Sequence, residues 1–271
     1  MMDVQEAKTR AAAGFNAAAD LFDDPRLSFW DRFGRRTIDR LGLAPGDTVL
    51  DLCCGTGASA LPAAERVGPT GRVLGLDLAE NLIRRARVKA TIRRLGNVEL
   101  RVEDLEQVEL APGSFDAVVC VFGLFFLPDM AAALRRMWRW VRPGGRLAVT
   151  TWGPRLFQPA DGIFWEAVRA ERPDLYREIH PRDLISDPEA LRRLFEESGI
   201  PDVEIEAEAG FHPTPEPEDW WTVVMGTGYR GTVEALSPEA LARVRARTLR
   251  SFAATGARQI ETNVIYAVAA K

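Results

Sequence analysis

The chain has 271 residues, 46% hydrophobic and 27% charged, which is the composition of an ordinary soluble globular protein. Its formal net charge of -4 at pH 7 argues against a large nucleic-acid-binding surface, so we expect no nucleic-acid partner. No apolar run approaches the roughly 20 residues that cross a bilayer, which predicts no membrane span. The three cysteines lack the spacing of a metal site and are odd in number, which predicts no metal and a cytoplasmic protein with reduced thiols.

The first 42 residues are predicted to be helical, with a break near Asp23. Phe15 and Phe22 share one apolar face of this segment, and Phe29 begins a second apolar stripe. Such aromatic side chains either cover the core or lie over a ligand site. We interpret residues 1–42 as an N-terminal helical lid.

The stretch from Thr48 to Ala60, TVLDLCCGTGASA, is predicted to begin with a buried parallel strand. Glycines follow where the apolar run ends, and helical spacing begins after them. A strand, a tight glycine turn and a helix in this order form a nucleotide-binding βα unit. The segment from Gly55 to Ala60 also fits the dinucleotide pattern G-x-G-x-x-A, and a turn without a ligand fits it as well, so the glycines alone do not identify a ligand.

Further strands and helices alternate up to residue 151. The predicted strands are Arg72 to Leu78, Val98 to Val102, Phe115 to Val121 and Arg146 to Thr151; the predicted helices are Thr56 to Val67, Ala79 to Leu95 with Gly96 as its C-cap, and Asp129 to Val141. Short connections between alternating strands and helices predict a parallel sheet that is covered on both faces. Ligands of such sheets bind beyond the carboxyl ends of the strands.

The second half of the chain has a different pattern. Predicted helices cover Phe157 to Arg169, start at Asp187-Pro188, and start again near Pro217 and at Ser237-Pro238. The segment Val203 to Ala209 alternates strictly, which is typical of a half-exposed antiparallel strand, and Asn263 to Ala269 is the final strand. We therefore predict one domain, 1–271, comprising the lid, a cofactor-binding core at 43–153 and substrate-side helices with a strand pair at 154–271.

Carboxylates stand at the predicted ends of three strands. Asp77 follows Gly57 by 20 residues, a distance that suits the ribose-binding acid of either a dinucleotide or another adenosine cofactor. Asp51 inside the first turn suits a cationic amine, and Asp104 suits an adenine amino group. The Tyr-x-x-x-Lys pair that would support a nicotinamide-dependent oxidoreductase is absent, since none of the three tyrosines is followed four residues later by lysine. The pattern favours S-adenosylmethionine and keeps the oxidoreductase as the alternative.

Five motifs resemble those of class I S-adenosylmethionine-dependent methyltransferases: VLDLCCGTG, VLGLDLAENLI, EDLE, SFDAVVCVFGLFFLPD and LRRMWRWVRPGGRLAVTTWG. They are most similar to the branch that contains the ubiquinone and menaquinone biosynthesis C-methyltransferases, and cover roughly residues 15–153. The resemblance implies a Rossmann-like, doubly wound α/β fold with seven strands, mostly parallel, an antiparallel last strand, and a helical insertion between the last two strands. Cys53 stands where many relatives have Gly or Ala, and Phe22 where relatives often have Tyr.

The resemblance also implies a role for each strand end, with S-adenosyl-L-methionine as cofactor and S-adenosyl-L-homocysteine as product. The implied cofactor contacts are Asp51, Cys53, Gly55 and Gly57 with the methionine part, Asp77 and Leu78 with the ribose, Asp104 and Leu105 with the adenine, and the carbonyl or amide groups of Val121 and Phe122 with the amino-acid end.

Catalytic residues are harder to predict, because methyl transfer needs alignment and a dry site more than it needs a base. Candidate bases or hydroxyl groups are His180, His212 and Tyr229, all of which follow the fifth strand. Aromatic residues such as Phe125 and Trp220 predict a small apolar or aromatic substrate. We expect methylation on carbon, oxygen or nitrogen. We expect the enzyme to be a monomer or a homodimer. The non-enzymatic alternative is a cofactor-binding protein of the same fold.

Overall fold

Seven strands form the central sheet of the computed structural model, which describes residues 4–271; residues 1–3 of the predicted lid lie outside the described residues. The strands are β1 (Thr48–Leu52), β2 (Arg72–Asp77), β3 (Val98–Val102), β4 (Phe115–Val121), β5 (Val141–Trp152), β6 (Val203–Glu208) and β9 (Val264–Ala270); β7 (Phe211–Pro213) and β8 (Gln259–Glu261) form a separate pair.

Ten helices surround these strands in the described part of the chain. They are α1 (Val4–Ala18), α2 (Phe29–Leu41), α3 (Ala60–Val67), α4 (Glu80–Ile92), α5 (Met130–Trp140), α6 (Ala160–Glu171), α7 (Pro188–Glu197), α8 (Pro217–Met225), α9 (Arg230–Val233) and α10 (Pro238–Thr255). None of them is long and apolar enough to cross a bilayer.

The strand order is β3-β2-β1-β4-β5-β9-β6. The first five strands in this order pair in parallel, and β9 runs antiparallel to both β5 and β6. The predicted Rossmann-like fold with an antiparallel last strand is confirmed, and α8 to α10 form the predicted insertion. Parallel pairing brings the carboxyl ends of β1 to β5 to one edge of the sheet, which we call the carboxyl edge.

Apolar side chains pack on both faces of the sheet. One cluster joins α2, α3 and α4 to β1 and β2 through residues such as Ile38, Leu61 and Ile83. A larger cluster joins the other face to α5 and α7 through residues such as Met137 and Phe195. Burial on both faces explains why the central strands read as continuous apolar runs.

The structure corrects several predicted boundaries. Helix α3 begins at Ala60 instead of Thr56, because the glycine turn occupies the intervening residues. Helix α4 ends at Ile92, and the left-handed residue after it is Arg94 (φ 57°), so the prediction of Gly96 as the C-cap was wrong. The short β7–β8 pair and the one-turn helix α9 were not predicted.

Candidate active site

The turn between β1 and α3 is fixed by two close backbone approaches. Gly57 has φ +86°, and a Cβ there would lie 2.8 Å from Cγ of Leu61. Helix α2 packs directly on the turn, because a Cβ on Gly34 would lie only 2.4 Å from the carbonyl oxygen of Ala58. Larger side chains at either glycine would displace the turn from its place at the carboxyl edge.

Asp51 is buried beneath this turn, with 1% of its surface exposed. Its Oδ2 accepts a hydrogen bond from Ser59 Oγ at 2.7 Å, whereas Oδ1 is buried without a partner among the described residues. Burial raises the pKa of Asp51 to about 7; the charge of Asp77 adds to this, and the Ser59 hydroxyl opposes it. The unpaired oxygen is an acceptor that a cationic donor would satisfy.

Asp77 ties the end of β2 to the glycine turn. Its carboxylate accepts the backbone N–H of Gly55 at 2.9 Å and that of Ala79 at 2.8 Å. Burial raises the pKa of Asp77, and these backbone donors oppose the increase. Leu78, the next residue, is 40% exposed, which is unusual for a leucine at the end of a buried strand and leaves its side chain available to a ligand.

The end of β3 is covered by the N-terminal helix. Lys8 of α1 bonds Asp104 Oδ2 at 2.7 Å and lies 2.5 Å from a carboxylate oxygen of Glu106. Leu105, between the two acids, is buried. The carboxylate predicted to meet an adenine amino group is therefore already paired with a cation in this structure.

The end of β4 carries strained backbone and a stacked ring. Phe122 has φ +54°, and its ring lies 4.0 Å from that of Trp152 at an interplanar angle of 16°. Its backbone N–H donates to the Thr150 carbonyl at 2.8 Å. The Phe122 amide is therefore not free for a ligand, and the predicted contact at this residue rests on its carbonyl, next to half-buried Val121.

Cys53, the unusual residue of the turn, also adopts a left-handed conformation, with φ 56°. A hydrogen bond to Cys120 and burial raise the pKa of the Cys53 thiol, so the thiol stays protonated at neutral pH. A Cβ on Gly123 would lie 2.6 Å from that of Cys53. The larger side chain is thus accommodated by a glycine after β4.

The N-terminal segment lies over this edge, as the lid prediction requires. Asn16 accepts the backbone N–H of Asn81 at 2.8 Å, at the start of α4. Asp23, in the break before α2, accepts the hydroxyl of Thr56 at 3.2 Å and Nζ of Lys89 at 2.6 Å. The lid therefore contacts the glycine turn and the helix that follows β2.

A second polar cluster lies beyond β5. Asp161 at the start of α6 accepts hydrogen bonds on Oδ1 from the Tyr229 hydroxyl and from the Arg182 guanidinium, the latter at 3.1 Å. Asp161 and Arg182 line a cavity of about 150 Å³ together with Trp152. Because Trp152 also stacks on Phe122, one ring joins this cavity to the end of β4.

The two histidines occupy different surroundings. The His180 ring lies 4.5 Å from that of Trp165, and burial, with a smaller effect of Arg182, lowers its pKa to about 4. The ring of His212 bonds the carbonyl of Arg26 through Nε2 at 2.8 Å and packs edge-on against Phe29. His180 thus belongs with Tyr229, which also contacts Trp165, and His212 joins β7 to the segment before α2.

The groups at the ends of β1 to β3 fit the polar parts of S-adenosylmethionine. The buried Oδ1 of Asp51 lacks a donor, and the cofactor has an ammonium group. Each hydrogen bond to Asp77 uses only part of the acceptor capacity of its carboxylate, which can also accept ribose hydroxyls. A shallow depression of about 720 Å³ at the other edge, near Gly68 and Asn97, lies far from these acids.

Sequence reasoning missed Lys8, Asp161 and Arg182. Lys8 is one of only three lysines, but 96 residues separate it from Asp104, and no local pattern joins them. Asp161 lies in the first turn of a helix, where an acid is ordinary. The only available signal was position, since both Asp161 and Arg182 follow the fifth strand.

The chain is similar to known methyltransferases in sequence. The methyltransferase domain family matches residues 49–145. Nocamycin O-methyltransferase of Saccharothrix syringae is 32% identical over 262 residues, covering 90% of this chain and 91% of that protein. A demethylmenaquinone methyltransferase of Listeria monocytogenes is 39% identical over 117 residues, covering 43% of this chain and 49% of that protein.

Solved structures agree on the fold. Phosphoethanolamine N-methyltransferase 2 of Haemonchus contortus, solved with phosphomonomethylethanolamine and S-adenosylhomocysteine, matches with a TM-score of 0.60. The match covers 100% of this chain and 60% of that one at 19% identity. This likeness shows a shared fold.

Proposed function

Because this chain belongs to the S-adenosylmethionine-dependent methyltransferases, we propose that it methylates a small apolar or aromatic metabolite and holds its cofactor along the ends of β1 to β4. Neither the nicotinamide-dependent oxidoreductase nor the non-catalytic binding protein is supported by the relatives. The observation that carries the cofactor assignment is the unpaired, buried Oδ1 of Asp51, with acids at the ends of the next two strands.

The proposed cofactor contacts follow the strand ends. Asp51 receives the ammonium group, and the turn at Cys53, Gly55 and Gly57 lies along the methionine part. Asp77 accepts the ribose hydroxyls beside exposed Leu78. The adenine lies near Asp104 and Leu105, and the carbonyls of Val121 and Phe122 face the amino-acid end. Asp104 can take this role only when its bond to Lys8 is broken or shared.

S-adenosylmethionine, when bound, supplies a methyl group on a sulfonium sulfur that is displaced in line by a nucleophile. The residues of this chain orient the two reactants and exclude water. Phe22 and Trp30, both in the lid, stack at 5.5 Å with nearly parallel rings. These aromatic side chains keep the carboxyl edge dry on the lid side.

The substrate class is supported by the aromatic cluster beyond β5. Phe157 lies within 6.2 Å of the rings of Trp152, Trp220 and Tyr229, and these rings are buried against one another. Because Trp152 also lines the cavity, the cluster places aromatic residues directly behind a bound molecule, which favours a flat, apolar one. The similarity to an enzyme named for the O-methylation of nocamycin supports a small-molecule acceptor as well.

Of the predicted catalytic residues, we assign Tyr229 and His180 to the substrate side and His212 to a structural role. The Tyr229 hydroxyl bonds Asp161, and burial raises its pKa well above the ordinary value, so that it acts as a donor. A pKa of about 4 makes His180 neutral and a weak base at neutral pH. His212 is occupied by the Arg26 carbonyl.

Isothermal titration calorimetry of the purified protein tests the cofactor assignment. We expect one site for S-adenosylmethionine and for S-adenosylhomocysteine, and no binding of NAD or NADP at the same concentrations. Circular dichroism of the same sample establishes that the protein is folded. A folded sample that binds neither sulfur compound contradicts the proposal.

We further propose a single domain from residue 1 to 271 that acts in the cytoplasm as a monomer or homodimer on a small molecule. The three cysteines are free, including Cys53 and Cys120, which contact each other without a disulfide. Free thiols in contact are typical of a reducing compartment. Light scattering at several protein concentrations and cell fractionation test these assignments.

A further inference from the structure

The cavity beyond β5 contains a carboxylate that the cofactor assignment does not use. Asp161 lies in the first turn of α6, with 16% of its side chain exposed. Both of its donors, the Tyr229 hydroxyl and the Arg182 guanidinium, bond Oδ1. Neither of these two donors engages Oδ2, and Asp161 lines the cavity, which leaves the carboxylate with acceptor capacity for a molecule bound there.

The charges around the cavity are already balanced. Arg155 is paired with Glu261 at 2.9 Å, and Arg182 is paired with Asp161 at 3.1 Å. Asp183, a further acid in the wall, accepts the backbone N–H of His180 at 2.7 Å. Both cations of this wall, Arg155 and Arg182, are already paired with an acid. An anionic group bound here would therefore find no free cation and would be repelled by the carboxylates. A hydroxyl group, which can donate to Asp161, fits this wall better.

The size and walls of the cavity narrow the choice further. A volume of about 150 Å³ accommodates one benzene-sized ring. Trp152 lines the cavity, and its ring stacks on Phe122, whose neighbouring carbonyls we assign to the amino-acid end of the cofactor. A ring bound in the cavity would thus be next to the cofactor half of the carboxyl edge.

We propose that the methyl acceptor carries a phenolic or enolic hydroxyl and that Asp161 accepts the proton of this hydroxyl during O-methylation. The inference rests on the proposed function, and it assigns a residue and a substrate class to the same site. The acceptor's O–H bond breaks and its proton moves to Oδ2 of Asp161. The oxygen lone pair forms the bond to the methyl carbon, and the electron pair of the broken carbon–sulfur bond remains on sulfur.

The surroundings of Asp161 suit this role. Burial raises the pKa of Asp161, against the opposing effects of Arg182 and Tyr229, which makes it a stronger base than an exposed carboxylate. Tyr229 and Arg182 hold Oδ1 and act as positioning residues. The proton leaves through the solvent-exposed part of the cavity after transfer.

The test uses three compounds of the same ring size, titrated by calorimetry into protein saturated with S-adenosylhomocysteine. The titrations are made at pH 6, where 4-nitrophenol is mostly un-ionised and can donate a hydrogen bond, 4-nitroanisole cannot, and 4-nitrobenzoate is an anion. We expect 4-nitrophenol to bind about tenfold tighter than 4-nitroanisole, since a hydrogen bond to a charged group has this effect. We expect 4-nitrobenzoate to bind most weakly.

Variants separate the role of Asp161 from a general loss of structure. Asp161→Asn should reduce the preference for 4-nitrophenol to within about threefold, and Tyr229→Phe should reduce it partly. Asp174→Asn, which changes an exposed acid outside the cavity, should leave it unchanged. Unaltered affinity for S-adenosylhomocysteine shows that each variant is folded.

Three outcomes overturn the inference while the proposed function stands. In the first, wild-type protein binds S-adenosylhomocysteine but not 4-nitrophenol. In the second, folded Asp161→Asn keeps the full preference for 4-nitrophenol over 4-nitroanisole. In the third, 4-nitrobenzoate binds most tightly of the three compounds. Failure of wild-type protein to bind S-adenosylhomocysteine contradicts the proposed function itself. The two failures are therefore distinguishable in one set of titrations.

Discussion

The carboxyl edge consists of two halves that are built in different ways. In the cofactor half, the turn after β1, Asp77 and Asp104, every polar group lies within a few residues of a strand end. In the acceptor half, the polar groups do not follow the strand ends: Asp161 lies in the first turn of α6, and its partners Tyr229 and Arg182 come from the segments before α9 and α7. The acids of the first half are thus positioned by the strands of the sheet, and those of the second half by the packing of the segments beyond it.

The halves also differ in how their charges are satisfied. Asp51 has a buried oxygen without a partner, and the hydrogen bonds to Asp77 come from backbone amides. In the acceptor half, the carboxylate of Asp161 is paired with a guanidinium and a hydroxyl. The unpaired oxygen of Asp51 suits a cationic cofactor, whereas the balanced cluster around Asp161 suits a neutral acceptor. The difference assigns one ligand to each half.

The largest expected effect is on the cofactor half alone. Asp77→Ala should weaken S-adenosylhomocysteine binding by about 100-fold or more, since it removes both the ribose acceptor and the carboxylate that holds Gly55. Calorimetry measures the affinity, and thermal unfolding measures whether the fold survives. Unchanged affinity in a folded variant would mean that the ribose lies elsewhere.

Asp187→Ala is the matched control for this variant. Asp187 also accepts two backbone amides, those of Glu189 and Ala190 at the start of α7, but it is not one of the acids of the cofactor half. The loss of such a cap destabilises a protein by about 1 kcal/mol. The control variant should therefore unfold more easily while it binds S-adenosylhomocysteine as the wild type does.

A smaller effect, and one that depends on pH, is expected at Asp51. The folded-state pKa of about 7 means that the acid is mostly protonated at pH 6 and mostly ionised at pH 8. An ammonium group binds the ionised form, so the affinity for S-adenosylhomocysteine should rise from pH 6 to pH 8. Asp51→Asn should lose about tenfold in affinity at pH 8 and little at pH 6. Calorimetry at the two pH values measures both.

Asp51→Asn should weaken cofactor binding at pH 8 but stabilise the cofactor-free protein against unfolding. Because the pKa of Asp51 is raised on folding, ionisation opposes folding as the pH rises from the unfolded value of about 4 through 7. Asp51→Asn removes this opposition and should raise the unfolding midpoint in urea at pH 8 without cofactor. Equal wild-type affinities at pH 6 and 8, with no change in midpoint, would show that Asp51 is not the ammonium site.

The contrast between the halves also explains what the sequence could predict. The bounds of β3 and β4 match the predicted ones, and Asp51, Asp77 and Asp104 lie at or next to strand ends as predicted, because the apolar runs that mark the strands also mark where they end. Asp161 could not be found in this way. Its importance comes from partners brought in by α9 and by the segment before α7, and no local pattern encodes those contacts.

The histidines show a related limit. Both were singled out because the residue type is rare in the chain and suits a base, which says nothing about what surrounds the ring. Burial lowers the pKa of both rings, and His212 is bonded to a backbone carbonyl of the segment that precedes α2. Only the packed structure separates a histidine beside the substrate cavity from one that joins two elements of the chain.

The smallest expected effect concerns the contact between the lid and the cofactor half. Lys8 is paired with Asp104 and Glu106, and an adenine amino group would compete with Lys8 for Asp104. Lys8→Met keeps the length of the side chain and removes the charge. We expect S-adenosylhomocysteine to bind about two- to fivefold tighter to this variant, because a partly exposed ion pair contributes at most about 1 kcal/mol.

Stopped-flow fluorescence separates the two ways in which this gain can arise. If Lys8 holds the lid over the carboxyl edge, its removal should raise the association rate of S-adenosylhomocysteine and leave the dissociation rate nearly unchanged. Arg10→Met, which removes a charge from an exposed position of the same helix, is the control and should alter neither rate. If Lys8→Met instead binds S-adenosylhomocysteine more weakly, through faster dissociation, then Lys8 stabilises the lid over the bound cofactor. Asp104 would in that case be paired with Lys8 both in the free and in the cofactor-bound protein.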